Sequence, residues 1–256
     1  MVLTLTAVRG GLTFLTRLPV ESDEESWEAF RRTPAAFPLV GYVVGLLAAL
    51  VLSLSLPAPT AVALYLLVLY LLTGVTHADG LADVGDAAAV HGEAERRTAV
   101  LKDSATGVGG ALSLGVVLLV LALGALSLAD ASRWAYPAAV FAIALAAEVG
   151  AKTGMAYLVC TGSPAHEGMG SALAGEADAA DFRSALVPLI PLALVAAFAG
   201  GAGVVAAALA PVGAAHLVGR WAEDRLGGVS GDVFGAANEL GRAVGLHAGV
   251  IAWTLF

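Results

Sequence analysis

Residues 109–128 read GGALSLGVVLLVLALGALSL, twenty positions without one charged side chain. A helix of that length rises about 30 Å, the thickness of the hydrocarbon layer of a bilayer. In lipid every backbone N–H and C=O must find its partner inside the chain, and a helix does this by itself. Runs of similar character lie near 37–56, 60–76, 134–157, 184–201, 203–219 and 237–256. Gly200 and Gly201 mark a tight turn between the fifth and sixth runs, and Pro188 and Pro191 lie inside the fifth. Residues 3–16 suit a helix that lies in the interface or re-enters the membrane. The predicted fold class is therefore all-α: a polytopic transmembrane helical bundle of about seven spans, forming a single integral membrane domain over 1–256.

Composition agrees. Of 256 residues, 59% are hydrophobic and 13% charged, with mean hydropathy +0.85. Soluble domains are about 45–50% apolar and about 25% charged, so this chain has too little polar surface to coat a globule in water. The net charge is −8. No basic stripe of the kind nucleic acid requires is present, so no nucleic-acid partner is expected. The partner implied is the lipid bilayer. Cys160 is the only cysteine, which excludes an intramolecular disulfide and a thiolate-rich metal site.

Seven spans put segments 17–36, 77–108, 158–183 and 220–236 on one side of the membrane. Nine of the 13 basic residues lie in or beside these segments, among them Arg17, Arg31, Arg96 and Lys102. The positive-inside rule makes this side cytoplasmic, giving a multi-pass protein of the cell membrane with its polar loops in the cytoplasm. Glu148 and Lys152, four apart within the fourth run, can form an ion pair or touch substrate.

The segment 73–110, TGVTHADGLADVGDAAAVHGEAERRTAVLKDSATGVGG, is the richest in chemistry. Asp79, Asp83 and Asp86 follow an i, i+4, i+7 spacing that places three carboxylates on one helix face. Three like charges repel unless a cation bridges them. Hard divalent cations take oxygen ligands, and Mg²⁺ commonly joins one or two carboxylates to phosphate oxygens. Asp79, Asp83 and Asp86 are thus candidate metal ligands, with a solvated acidic face as the alternative. His77 is a candidate ligand, proton carrier or polar residue satisfied by backbone. Lys102, Asp103, Ser104, Thr106 and Gly107 stand where a glycine-bearing turn enters the next helix, a place where backbone N–H groups can face an anion. Arg96 and Arg97 could clamp phosphate.

A second polar segment spans 220–242. Gly231 and Asp232 follow a glycine turn, and Asn238 and Glu239 come six and seven residues after Asp232. Asp232 can complete a metal site, act as a base, or cap the following helix. In the 158–183 loop, His166, Glu167, Gly168, Met169 and Gly170 suggest a flexible lid over substrate.

Taken together, FLTRLP (14–19), FPLVG (37–41), HADGLADVGD (77–86), LKDSATG (101–107), GMG (168–170) and LGGVSGD (226–232) resemble the cobalamin 5′-phosphate synthase family, also called adenosylcobinamide-GDP ribazoletransferases. The blocks keep the family's order across almost the whole chain; the middle loop is more acidic than the family pattern. The resemblance implies an integral membrane enzyme that needs Mg²⁺. Its substrates would be adenosylcobinamide-GDP and α-ribazole or its 5′-phosphate, with GMP released. For that chemistry, Asp103 or Asp232 would support the metal or take the hydroxyl proton, and Lys102 would steady the pyrophosphate. His77 joins them as a candidate catalytic residue, with Ser104, Thr106, Gly107, Arg96, Gly231, Asn238 and Glu239 as candidate substrate contacts. Two alternatives remain at this point. A CDP-alcohol phosphotransferase of lipid synthesis would carry an Ala-Arg pair after Asp-Gly-x-x, where this chain has Asp83 and Val84 after its own Ala82. A cation transporter would set carboxylates at mid-membrane depth.

Overall fold

The computed structural model describes residues 4–133 and 136–255. Leu3, Trp134 and Phe256, which end three of the predicted segments, lie outside the described residues. In chain order the helices are α1 (Leu5–Leu15), α2 (Glu24–Arg31), α3 (Ala36–Ser53), α4 (Ala58–Thr73), α5 (Thr76–Ala89), α6 (Ala94–Leu101) and α7 (Val108–Arg133). They continue as α8 (Pro137–Thr161), α9 (Met169–Ala174), α10 (Phe182–Leu186), α11 (Ile190–Phe198), α12 (Gly201–Leu226) and α13 (Gly231–Leu255). No strand occurs among the described residues.

α7 shows how the sequence divides between lipid and core. Leu112, Val116, Leu119 and Leu123 are exposed at i, i+4, i+7 and i+11, a stripe that suits hydrocarbon. Val117, Leu121, Ala125 and Leu128 are buried on the opposite side. α8 is the reverse case: nearly every residue from Ala142 to Cys160 is buried, because α3, α12 and α13 enclose it. Between helices in lipid there is little hydrophobic gain, so close packing supplies the attraction, and small residues permit it. A Cβ at Gly41 of α3 would stand 2.8 Å from the Val149 Cα, and one at Gly150 would stand 2.5 Å from the Ala208 carbonyl oxygen. Only glycine lets these helix pairs come so near.

The predicted spans resolve unevenly. Four helices are long and apolar enough to cross a bilayer: α3, α7, α8 and α12. α4 reaches that measure only together with α5, and the chain bends by 95° between them. The bend turns α5, with its three aspartates, away from the direction of α4. The run at 184–201 is helical over Phe182–Phe198, shorter than predicted, with a 3₁₀ stretch over Val187–Leu189 joining α10 and α11 at the prolines. The turn expected at Gly200–Gly201 is present, both residues having positive φ. α13 is 25 residues long, ample to span a bilayer, yet its hydropathy is lowered by Asn238, Glu239 and Arg242. These three are buried inside the bundle, so its polar face never meets lipid.

That buried face forms a closed network. Arg242 donates from Nε and Nη2 to the Glu148 carboxylate at 2.6 and 3.1 Å, and from Nη1 to Glu239 at 2.7 Å. Lys152 donates to the Asn238 Oδ1 at 2.6 Å and stands 3.4 Å from Glu148. Tyr70 donates to Glu239 at 2.8 Å. Two positive and two negative charges thus cancel within α8 and α13, with α4 adding a hydroxyl. The Glu148–Lys152 pair expected from the i, i+4 spacing is present and buried.

At one end of the bundle, α1 and α2 fold over α3. With 11 residues, α1 is too short to cross a membrane. Phe14 meets Trp27 at 5.1 Å between ring centroids, and Phe30 meets Phe37 at 4.7 Å, contacts worth about 0.5–1.5 kcal/mol each beyond their burial. Arg31 and Arg32 pair with Glu176 at 2.6 and 3.2 Å. The first and third of the segments that the sequence assigned to one face are therefore in contact.

Candidate active site

The kink after α4 starts the site. Gly74 takes φ +67°, a left-handed conformation that ends the helix. The chain then begins α5, whose first turn carries His77 and Asp79. Against this turn lies the start of α13. A Cβ at Gly80 would be 2.7 Å from the Asp232 carbonyl oxygen, and one at Gly235 would be 3.0 Å from that of His77. Two glycines therefore bring two acidic segments together across some 150 positions of sequence.

Ser230, not Asp232, caps α13: its Oγ accepts the Val233 N–H at 3.4 Å and donates to the Asp232 carboxylate at 3.3 Å. Asp232 is thereby left facing a cavity of about 540 Å³. His77, Asp79 and Gly231 line it, as do Thr13, Thr16, Arg17, Thr73 and Thr76, and its apolar side comes from residues such as Phe14, Met155 and Phe234. Shape and lining suit a ligand with both an apolar and a charged part.

Asp83 sits one turn beyond Asp79. Burial first, then the charges of Asp232, Asp79 and Asp86, push its carboxyl up to about 6. Burial also raises Asp232, against the hydrogen bonds from Ser230 and its own backbone, which lower it. Among the described residues none of these aspartates has an ion-pair partner. The wall is therefore electrostatically uncompensated. No three His, Cys, Asp or Glu side chains among the described residues converge as closely as a full set of metal ligands.

The third aspartate of the spacing has other work. Asp86 accepts the Gly107 N–H at 2.6 Å and the Gly110 N–H at 2.9 Å, one on each oxygen. It fastens the turn that starts α7. That turn holds Asp103, Ser104, Thr106 and Gly107 exposed and outside the cavity lining, with Asp103 accepting the Ala105 N–H at 3.1 Å in a local turn. Lys102 lines a separate open groove between α6 and Leu226. Arg96 is exposed, and Arg97 is spent on the Ala87 carbonyl at 2.6 Å. Asn238 and Glu239 lie in the buried ionic network, shielded from the cavity. The structure thus gathers His77, Asp79, Gly231 and Asp232, sets Asp83 beside them, and leaves the remaining candidates apart.

The expected lid is tied down. Val229 donates to the Ser163 carbonyl at 2.7 Å, and Ala165 donates back to Val229 at 3.0 Å. A Cβ at Gly170 would be 2.7 Å from the Ser230 Cα. The 162–170 segment is a brace for the α13 start. What the sequence reading passed over is 13–17: its FLTRLP block carried only a resemblance, because helix ends with Thr and Arg are common.

These features define a class: a polytopic helical membrane protein with an acidic, half-apolar cavity at one end of its bundle. Residues 7–250 match the family described as Cobalamin-5-phosphate synthase, and the chain belongs to that family. It is 52% identical to the adenosylcobinamide-GDP ribazoletransferase of Halorubrum lacusprofundi, over 98% of this chain and 99% of the relative. The Haloquadratum walsbyi protein of the same name is 46% identical over 99% of this chain and 100% of its own. The Methanocella arvoryzae protein, again of that name, is 34% identical over 98% of both. No solved structure matches the chain.

Proposed function

We propose that the protein transfers the adenosylcobinamide-phosphate group of adenosylcobinamide-GDP to α-ribazole or its 5′-phosphate, releasing GMP, in cobalamin biosynthesis. The observation that carries this reading is the uncompensated carboxylate wall of Asp79, Asp83 and Asp232 beside a cavity with apolar walls, in a chain of this family. The paired charges of α8 and α13 leave no free acidic path at mid-membrane for a cation transporter, and the family sets aside a CDP-alcohol substrate.

In the reaction a ribose hydroxyl oxygen forms a bond to the phosphorus that carries cobinamide. The bond from that phosphorus to the bridging oxygen breaks, and GMP leaves with the electron pair. Asp232, raised by burial and set in the cavity, takes the hydroxyl proton. His77 lines the same cavity, and its buried Nδ1 has no hydrogen-bond partner; it orients the attacking hydroxyl. Phe14, Met155 and Phe234 exclude water from the rings of the substrates.

The residues fit Mg²⁺, because the donors are all hard oxygens, like-charged and unpaired. Asp79 and Asp83 would hold it, leaving Asp232 free to take the proton. When bound it supplies neutralisation of the charge that develops on the transferring phosphoryl group. The basic loops favour the cytoplasmic face of the cell membrane for the cavity.

The test is GMP release from adenosylcobinamide-GDP plus α-ribazole by purified protein, with and without Mg²⁺. Turnover that requires both substrates and the metal is expected, with loss in Asp83→Ala. Undiminished turnover in that variant would refute the metal assignment, and no turnover in the native protein would refute the reaction.

A further inference from the structure

Arg17 is a cation of the cavity that no step above uses. Its main-chain N–H donates to the Leu72 carbonyl at 2.6 Å, which fixes the segment after α1 against the end of α4. Its side chain passes over Gly74, where a Cβ would stand 2.5 Å from Nε. The left-handed glycine at the kink therefore serves two ends: it turns the chain, and it clears the path of the arginine into the cavity.

The guanidinium has no hydrogen bond or ion pair with any described residue. Five other arginines are engaged: Arg9 with Asp23, Arg31 and Arg32 with Glu176, Arg97 with Ala87, and Arg242 with Glu148; Arg17 is the arginine that lines this cavity. Asp79 and Asp232 line the same cavity, yet neither pairs with Arg17. The lining thus carries two carboxylates and an exposed, unpaired guanidinium together. Guanidinium carries five N–H donors and stays charged at any working pH, and its fork matches two oxygens of a phosphate. The unpartnered Nδ1 of His77, 94% buried in the same wall, independently points to a polar ligand in that space.

We infer that Arg17 binds a phosphate group of a substrate in this cavity. The inference rests on the proposed reaction for the identity of the substrates. Phosphate oxygens reach the cavity from two sources, the diphosphate of adenosylcobinamide-GDP or the 5′-phosphate of an acceptor.

Equilibrium binding of adenosylcobinamide-GDP, α-ribazole and α-ribazole 5′-phosphate to detergent-purified native protein, Arg17→Gln and Arg17→Lys tests it, alongside each variant's thermal midpoint. Arg17→Gln should weaken at least one phosphate-bearing ligand by roughly tenfold to a hundredfold. α-Ribazole itself and the midpoint should hold, and Arg17→Lys should recover part of the loss. Weakening confined to the acceptor phosphate identifies that source, and weakening of adenosylcobinamide-GDP identifies the diphosphate. Equal affinities in native protein and Arg17→Gln overturn the inference, as does a loss that follows the midpoint and extends to α-ribazole. Binding is read without turnover, so a failure of the proposed reaction would show separately in the GMP assay.

Discussion

Gly80 of α5 and Asp232 of α13 meet backbone to backbone, close enough that a Cβ on the glycine would lie 2.8 Å from the aspartate's Cα. The distance between the two acidic segments is set there by the absence of a side chain. Gly80→Ala must push the helices apart. A shift near 1 Å in a catalytic constellation costs about a hundredfold in rate, so GMP release should fall by about that factor while the protein still purifies as a folded species. A rate within threefold of native would show that the contact is incidental.

Asp232→Asn keeps the side chain's shape and its hydrogen bond from Ser230, but it cannot accept a proton. Removal of a general base costs about 10²–10⁴ in rate. kcat should drop in that range with the thermal midpoint preserved. Circular dichroism and single-turnover kinetics together read the outcome.

The pH dependence follows from Asp83. Its folded-state pKa, about 6, exceeds the ordinary value of 3.8. Between those two values the folded protein binds more protons than the unfolded chain, so this group favours folding as pH falls through 6 and opposes it above. A divalent cation competes with the same proton. Mg²⁺ should therefore raise the thermal midpoint more at pH 7.5 than at pH 5.5. An equal rise at both would exclude Asp83 from the metal's surroundings.

Asp86 gives a different signature. Its two oxygens hold the Gly107 and Gly110 amides, and Asp86→Ala leaves both without a protein partner at a cost of about 1–3 kcal/mol. Hydrogen exchange should quicken at 105–110 more than elsewhere. Were Asp86 chiefly a metal ligand, the exchange pattern would stay native and only the Mg²⁺ response would change.

The buried network predicts non-additivity. Glu148→Gln leaves Arg242 short of its partner in a closed core, and breaking a buried pair costs about 3–5 kcal/mol. Combining it with Arg242→Gln should destabilise less than the sum of the two single changes, since the second removes the charge the first stranded. Thermal midpoints of the four proteins give the comparison.

Much of this was legible in the sequence. Long uncharged runs allow one solution in lipid, so an all-α membrane bundle followed from composition and length. The fifth run was harder in detail, because Pro188 and Pro191 carry apolar side chains and tighten the helix locally through a missing N–H that hydropathy does not register. α13 shows the converse: Glu239 and Arg242 lower its hydropathy although both are neutralised inside. At the site, the i, i+4, i+7 spacing found the aspartates but could not separate Asp83, which faces other carboxylates, from Asp86, which faces amides. One helical face is wide enough for both fates. Lys102 and Asp103 lie outside the cavity lining, and a cation and an acid beside glycines do not by themselves say which surface they face. Arg17 escaped because its meaning depends on a kink 57 positions later in the chain.

The ionic core also says something about how the chain enters the bilayer. Lys152 answers Glu148 one turn away on α8, and Arg242 answers Glu239 on α13. Each helix carries its own counter-ion, so each can leave the translocation machinery as a locally neutral rod before it has met the other. The crosswise Arg242–Glu148 bond requires the two rods to be in register.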